Sequence, residues 1–84
     1  MTRISVRYFA SVREAIGRDA EALDTAATTL AELRVELVAR GAPYADALAR
    51  GRAVRMALDQ VMRDEDATLR EGSEVAFFPP VTGG

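Results

Sequence analysis

Apolar and polar residues alternate one by one at the start of the chain. Ile4, Val6 and Tyr8 fall on one side and Arg3, Ser5 and Arg7 on the other. A period of two predicts a half-buried strand from Arg3 to Tyr8. Ser11-Val12-Arg13-Glu14 then has the capping-box spacing, and Ala15, Ile16 and Gly17 follow, which predicts one or two helical turns stopping at the glycine. Ala20 to Thr25 is a weaker strand, with Leu23 its one strongly apolar residue. Thr29-Leu30-Ala31-Glu32 repeats the capping box and opens the main helix, which Gly41 and Pro43 close. Leu30, Leu33 and Leu37 share one face of that helix, with Val38 beside them. Glu32, Arg34, Glu36 and Arg40 are expected away from this face or at its edge. Glu36 and Arg40 have the spacing of a helical ion pair, worth roughly a few tenths of a kcal/mol.

Further along, Tyr44 to Leu48 predicts a short helical piece. Ala53 to Asp59 alternates again, with Val54, Met56 and Leu58 on one face, and Val61 and Met62 begin another short strand. Arg70-Glu71-Gly72-Ser73 is a turn, after which Val75 and Phe77 alternate with Ala76 and Phe78 in a last strand. One amphipathic helix can cover only one face of a sheet. The expected architecture is therefore α+β: a mixed sheet of four to five strands curled around one main helix, in a single domain over residues 1–78. Ala76 and Phe78 should point to the uncovered side, together with Arg7, Arg55 and Ala57. An apolar Phe78 left there suggests a surface for a partner, against the alternative that it folds over an edge of its own core.

Composition narrows the chemistry. The chain has 84 residues and no histidine or cysteine, which removes the usual general base, the thiolate nucleophile and the commonest metal ligands. No metal site is expected. Its net charge is −2 with the charges interspersed, so there is no basic stripe for nucleic acid. The first residues lack the apolar run of a signal peptide and no stretch reaches membrane-spanning length, so a cytoplasmic protein is expected. All eleven cationic residues are arginine, leaving no side-chain amine to accept an isopeptide bond.

The remaining informative stretch is 79–84, Pro79-Pro80-Val81-Thr82-Gly83-Gly84. The prolines fix φ and cannot continue a ladder, so an extended tail should leave the body stiffly. Glycine lacks a Cβ and can pass a narrow slot, and the four residues past Pro80 reach roughly 13 Å when extended. The tail reads as a covalent handle on an arm; the plainer alternative is a frayed terminus.

The order of elements is similar to the β-grasp fold of ubiquitin and its relatives. Within that group, Glu74-Val75-Ala76-Phe77-Phe78-Pro79-Pro80-Val81-Thr82-Gly83-Gly84 resembles the ending of the small, sulfur-carrying subunits of molybdopterin synthase. Val6-Arg7-Tyr8-Phe9-Ala10-Ser11-Val12-Arg13-Glu14 resembles the same family's first strand followed by Phe-Ala-x-x-Arg-Glu. Asp59 departs from it, because the family often has Asn before the residue that here is Gln60.

The resemblance implies a mechanism. A separate ATP-dependent adenylating enzyme would activate Gly84 as an acyl-adenylate, and a persulfide donor would convert it to a thiocarboxylate. The tail would then enter the large subunit of the synthase, in a heterotetramer, and pass sulfur to cyclic pyranopterin monophosphate. Two transfers build the molybdopterin dithiolene. The chain itself would bind no cofactor, ATP being used by the activating enzyme, and would not be catalytic alone, with the catalytic residues in the large subunit. On the same resemblance, Gly84 carries adenylate and then sulfur, and Gly83 keeps the passage narrow. Val81 and Thr82 grip the channel, Pro79 and Pro80 limit the entropy lost on threading, and Phe78 docks the body with Phe77 packed beneath it. The alternatives are a carrier feeding thiazole synthesis for thiamine, a ubiquitin-like protein modifier, and a passive interaction domain.

Overall fold

In the computed structural model, residues 1–49 and 53–80 are described. The elements follow the order β1 (Thr2–Tyr8), α1 (Ala10–Ile16), β2 (Ala20–Thr25), α2 (Leu30–Val38), α3 (Tyr44–Leu48), β3 (Arg55–Leu58), β4 (Val61–Met62) and β5 (Glu74–Phe78). The sheet has five strands in the order β2-β1-β5-β3-β4. The last strand in the chain is the middle one in space. It pairs in parallel with β1, Val6 opposite Val75 and Tyr8 opposite Phe77, and antiparallel with β3, Arg55 opposite Phe78 and Ala57 opposite Ala76. This is the ubiquitin-like β-grasp arrangement.

The alternation read in the sequence decides what is buried. Ile4, Val6 and Tyr8 of β1 and Val75 and Phe77 of β5 lie on the covered face, where they meet Leu30, Leu33, Leu37 and Leu48. Full burial of such side chains contributes about 1.5–3 kcal/mol each, and this layer fixes the register, since a one-residue slip would turn every apolar side chain outward. No helix among the described residues covers the opposite face. Arg3, Ser5 and Arg7 stand there, beside Ala20, Ala22 and Asp24 of β2.

Local rules account for most element boundaries. The Thr29 hydroxyl accepts from the Glu32 backbone N–H at 3.2 Å, as a capping box requires. The Glu32 carboxylate reaches back to the N–H and hydroxyl of Thr28, one residue earlier than the standard motif. Gly17 ends α1 with φ +90°, donating its N–H to Arg13. Asp59 and Gln60 both have positive φ, +51° and +69°, and form the two-residue turn between β3 and β4. Asp59 also ties the hairpin to β5, accepting from the Glu74 N–H on its carboxylate at 2.9 Å and donating its own N–H to the Glu74 carbonyl at 2.8 Å.

Three expectations need correction. The Ser11 capping box does not form, because α1 begins at Ala10 behind Phe9 and takes Ser11 into its first turn. The Glu36–Arg40 pair does not form either, as each finds a tertiary partner: Glu36 accepts from the Thr25 hydroxyl and Arg40 reaches Glu21. Arg34 is not at an edge but 9% exposed. Its Nε donates to the Leu48 carbonyl at 2.6 Å and its Nη2 to the Ala49 carbonyl at 3.1 Å, satisfying the acceptors at the end of α3.

Candidate functional site: the root of the tail and the uncovered face

The tail leaves from the middle of the sheet. Phe77, the penultimate residue of β5, is fully buried. Its carbonyl accepts from the Phe9 N–H at 3.0 Å, extending the parallel ladder by one rung beyond β1. Phe9 is itself extended, with φ −125° and ψ 151°, so alternation carries on through it. One residue on from the buried Tyr8–Phe77 pair, Phe9 and Phe78 therefore both belong to the uncovered face, at the end where the tail departs. Phe78, Pro79 and Pro80 are half-buried. Val81, Thr82, Gly83 and Gly84, the positions expected to carry the chemistry, lie outside the described residues.

Around this root the uncovered face is apolar and small-residued. Register places Arg7, Ala76, Ala57 and Met62 in one row across β1, β5, β3 and β4. Met62 is 55% exposed and Phe9 42%. The sequence had placed Phe9 only within the family motif and Met62 only in a short strand, neither of them as a contact. The signal was available for Met62, because a two-residue turn at Asp59-Gln60 puts Met62 opposite Ala57. For Phe9 it was not, since only the ladder bond to Phe77 shows that the strand geometry runs past Tyr8. The structure also divides the two adjoining phenylalanines: Phe78 faces outward, whereas Phe77 can only support it from below.

Charges frame this patch without crowding it. Arg7 pairs with Glu74 at 3.4 Å and sets its guanidinium 5.8 Å from the Phe9 ring. Arg3 pairs across strands with Asp24 at 3.3 Å. Both ion pairs are solvent-exposed and contribute little to stability. The Arg55 side chain, in register with Phe78, makes no hydrogen bond or ion pair among the described residues.

A second polar constellation lies beneath the root, on the covered side. Glu21 is opposite Val6 in the ladder and so points toward the core from the edge strand β2. Its Oε2 accepts from the Tyr8 and Tyr44 hydroxyls, each at 2.8 Å, and its Oε1 meets Arg40 at 3.0 Å and Arg18 at 3.3 Å. Burial alone would raise the Glu21 pKa. The hydrogen bonds from Arg40, Tyr8 and Tyr44 outweigh it and hold the carboxyl below its ordinary value. Tyr8 shifts upward, first through burial and then through its bond to the Glu21 carboxylate.

No helix among the described residues is long and apolar enough to cross a membrane. The ThiS family model matches residues 6–84. The molybdopterin synthase sulfur carrier subunit of Escherichia coli (strain K12) is 42% identical over 81 residues, 96% of this chain and 99% of that protein. Its counterpart from Haemophilus influenzae is 38% identical with the same coverage of both chains. Among solved structures, the complex of subunits 1 and 2 of molybdopterin-converting factor from Helicobacter pylori 26695 contains a similar chain. It is 25% identical with a TM-score of 0.68, covering 99% of this chain and 100% of that one. A tail rooted in the central strand, an apolar face beside it and near full-length likeness to curated proteins all agree: the chain belongs to the ThiS family and, within it, to the molybdopterin synthase sulfur carrier subunits.

Proposed function

We propose that this protein delivers sulfur from its own C-terminus. Gly84 is adenylated by a separate ATP-dependent enzyme, and AMP leaves as the outer sulfur of a persulfide donor bonds to the carbonyl carbon. A second thiol then cleaves the acyl disulfide and is left in a disulfide with the donor, and the released thiocarboxylate enters the large subunit of molybdopterin synthase. There it gives its sulfur to cyclic pyranopterin monophosphate. The likeness to one chain of the Helicobacter pylori complex of subunits 1 and 2 supports a large-subunit partner for this chain. A carboxylate is a poor electrophile, which is why activation must come first. A chain without histidine or cysteine has neither the usual base nor a thiol of its own for the transfer.

The observation that carries this reading is the position of β5. A handle works only if its base is fixed while its tip reaches away. Strand β5 is paired on both sides, with β1 as far as Phe77 and with β3 as far as Phe78, the residue before Pro79. Phe9, Phe78 and Met62 beside it form a surface on which the body docks, first on the activating enzyme and then on the large subunit, in a heterotetramer. Pro79 and Pro80 restrict the arm before it is threaded, which lowers the entropy cost of insertion.

The test is reconstitution with the large subunit and cyclic pyranopterin monophosphate, supplying this chain with a chemically installed thiocarboxylate on Gly84. Molybdopterin is expected with that form and not with the plain carboxylate. Protein from its native host should include a species heavier by the difference between one sulfur and one oxygen atom. Gly84→Ala should fold normally but be adenylated or transfer sulfur poorly. Near-normal molybdopterin formation by that variant would refute the role of Gly84, and ladders of lysine conjugates without transfer would assign the chain to protein modification instead.

A further inference from the structure

The Glu21 constellation is more elaborate than packing requires. An ion on the core side of an edge strand pays desolvation that an apolar residue would avoid, and such groups are retained where they fix one geometry. This carboxylate receives two tyrosine hydroxyls on one oxygen and two guanidinium groups on the other. Its contacts continue in one direction. The Tyr8 ring meets Tyr44 edge-on at 6.3 Å and stacks on Phe77 at 6.0 Å with the planes 17° apart. Phe77 is the last buried residue before the tail, held through its carbonyl by Phe9. Arg40 closes the far end, 4.9 Å from the Tyr44 ring.

We propose that Glu21 and Tyr8 are positioning residues for the tail: Glu21 fixes the Tyr8 hydroxyl, and the Tyr8 ring sets the plane and depth of Phe77, hence the direction in which Phe78 and Pro79 leave the sheet. The inference rests on the sulfur-carrier reading above. Tyr8 is the only one of the four donors that touches both the carboxylate and the root of the tail. Removing its hydroxyl leaves the ring in place but frees it to tilt, and Phe77 follows. Small displacements of a reacting group lower rates steeply because the productive geometry is narrow.

Tyr8→Phe separates this role from bulk stability. Wild type and variant, each with a preformed Gly84 thiocarboxylate, are compared in single-turnover transfer at saturating large subunit, alongside Kd and native-state hydrogen exchange. The expected result is a transfer rate lowered by about threefold or more, an unchanged Kd, and faster exchange of the Phe9 amide relative to core amides of β1. Glu21→Gln should do the same and serves if Tyr8→Phe does not fold. Tyr44→Phe, which removes the neighbouring hydroxyl from the same oxygen, should slow transfer less. Equal slowing by Tyr8→Phe and Tyr44→Phe, an unchanged rate, or a uniform rise in exchange across the sheet would each overturn the proposal. Absence of transfer by the wild-type thiocarboxylate would instead sink the carrier reading, while the exchange comparison would still test the clamp.

Discussion

Phe9→Ala is the sharpest test of the docking face, because no sequence motif pointed to that side chain as a contact. A phenylalanine side chain offers roughly 200 Å² for burial. With 42% of Phe9 exposed, about 80 Å² remains for a partner to cover. At roughly 25 cal/mol per Å² that area is worth about 2 kcal/mol, and at about 1.4 kcal/mol per decade the Kd for the large subunit should rise about thirtyfold. The fold should survive, since the bonds from Phe9 to Phe77, Val12 and Arg13 are all made by its backbone. The contact with Arg7 is lost at a cost of about 0.5–1 kcal/mol, together with the packing of the part of the ring that the chain itself covers, so wild type and variant are first matched for folded fraction. Calorimetric titration into the large subunit measures the change. Val35→Ala is the control, because Val35 is 62% exposed on α2, in the helical layer on the other side of the sheet, and should leave Kd unchanged. A folded Phe9→Ala that binds within twofold of wild type, or a Val35→Ala that binds as weakly, would refute the assignment of the uncovered face.

Two further outcomes test the fold's own devices. Because the Glu21 carboxyl has a folded-state pKa below its unfolded value of 4.5, its contribution to stability is complete above that pH and fades as pH falls through the folded pKa; the gap in urea midpoint between wild type and Glu21→Gln should therefore narrow in acid, and a gap independent of pH would contradict the network. Thr29→Ala removes the hydroxyl that caps α2 and should cost about 1 kcal/mol in chemical denaturation with no change in Kd for the large subunit.

Much of this molecule is legible in one dimension because its strands obey a single rule. Ile4, Val6 and Tyr8, and later Val75 and Phe77, alternate with polar or small neighbours, and each is buried where the period of two places it. The Thr29 cap forms because the Glu32 N–H remains free for its hydroxyl, while the neighbouring Leu30 and Ala31 N–H groups go to the Ala67 and Glu65 carbonyls. The Ser11 box has the same letters and fails: the backbone of Phe9 is already committed to Phe77, sixty-eight positions away, and the helix must start from there. Long-range partners also broke the pairing of Glu36 with Arg40 and drew Arg34 inward to the carbonyls of α3. Glu21 shows the same limit. Alternation with Leu23 and Thr25 puts it on the covered face, yet its charge argues for water; only the convergence of Tyr8, Tyr44, Arg18 and Arg40 makes the inward position tolerable. The tail motif carries the resemblance from which the chemistry is proposed, while the surface beside it emerges only from the register of four strands.

The central place of β5 has a consequence for synthesis. A nascent chain halted before Glu74 has β1 and β3 but lacks the strand to which both attach, and its two halves cannot close over one core. Pairings between distant parts of a chain form late in folding. The segment that completes the sheet therefore leads directly into the tail proposed to be activated, so an activating enzyme that recognises the assembled face would meet only chains whose sheet has closed, and sulfur would not be spent on broken ones.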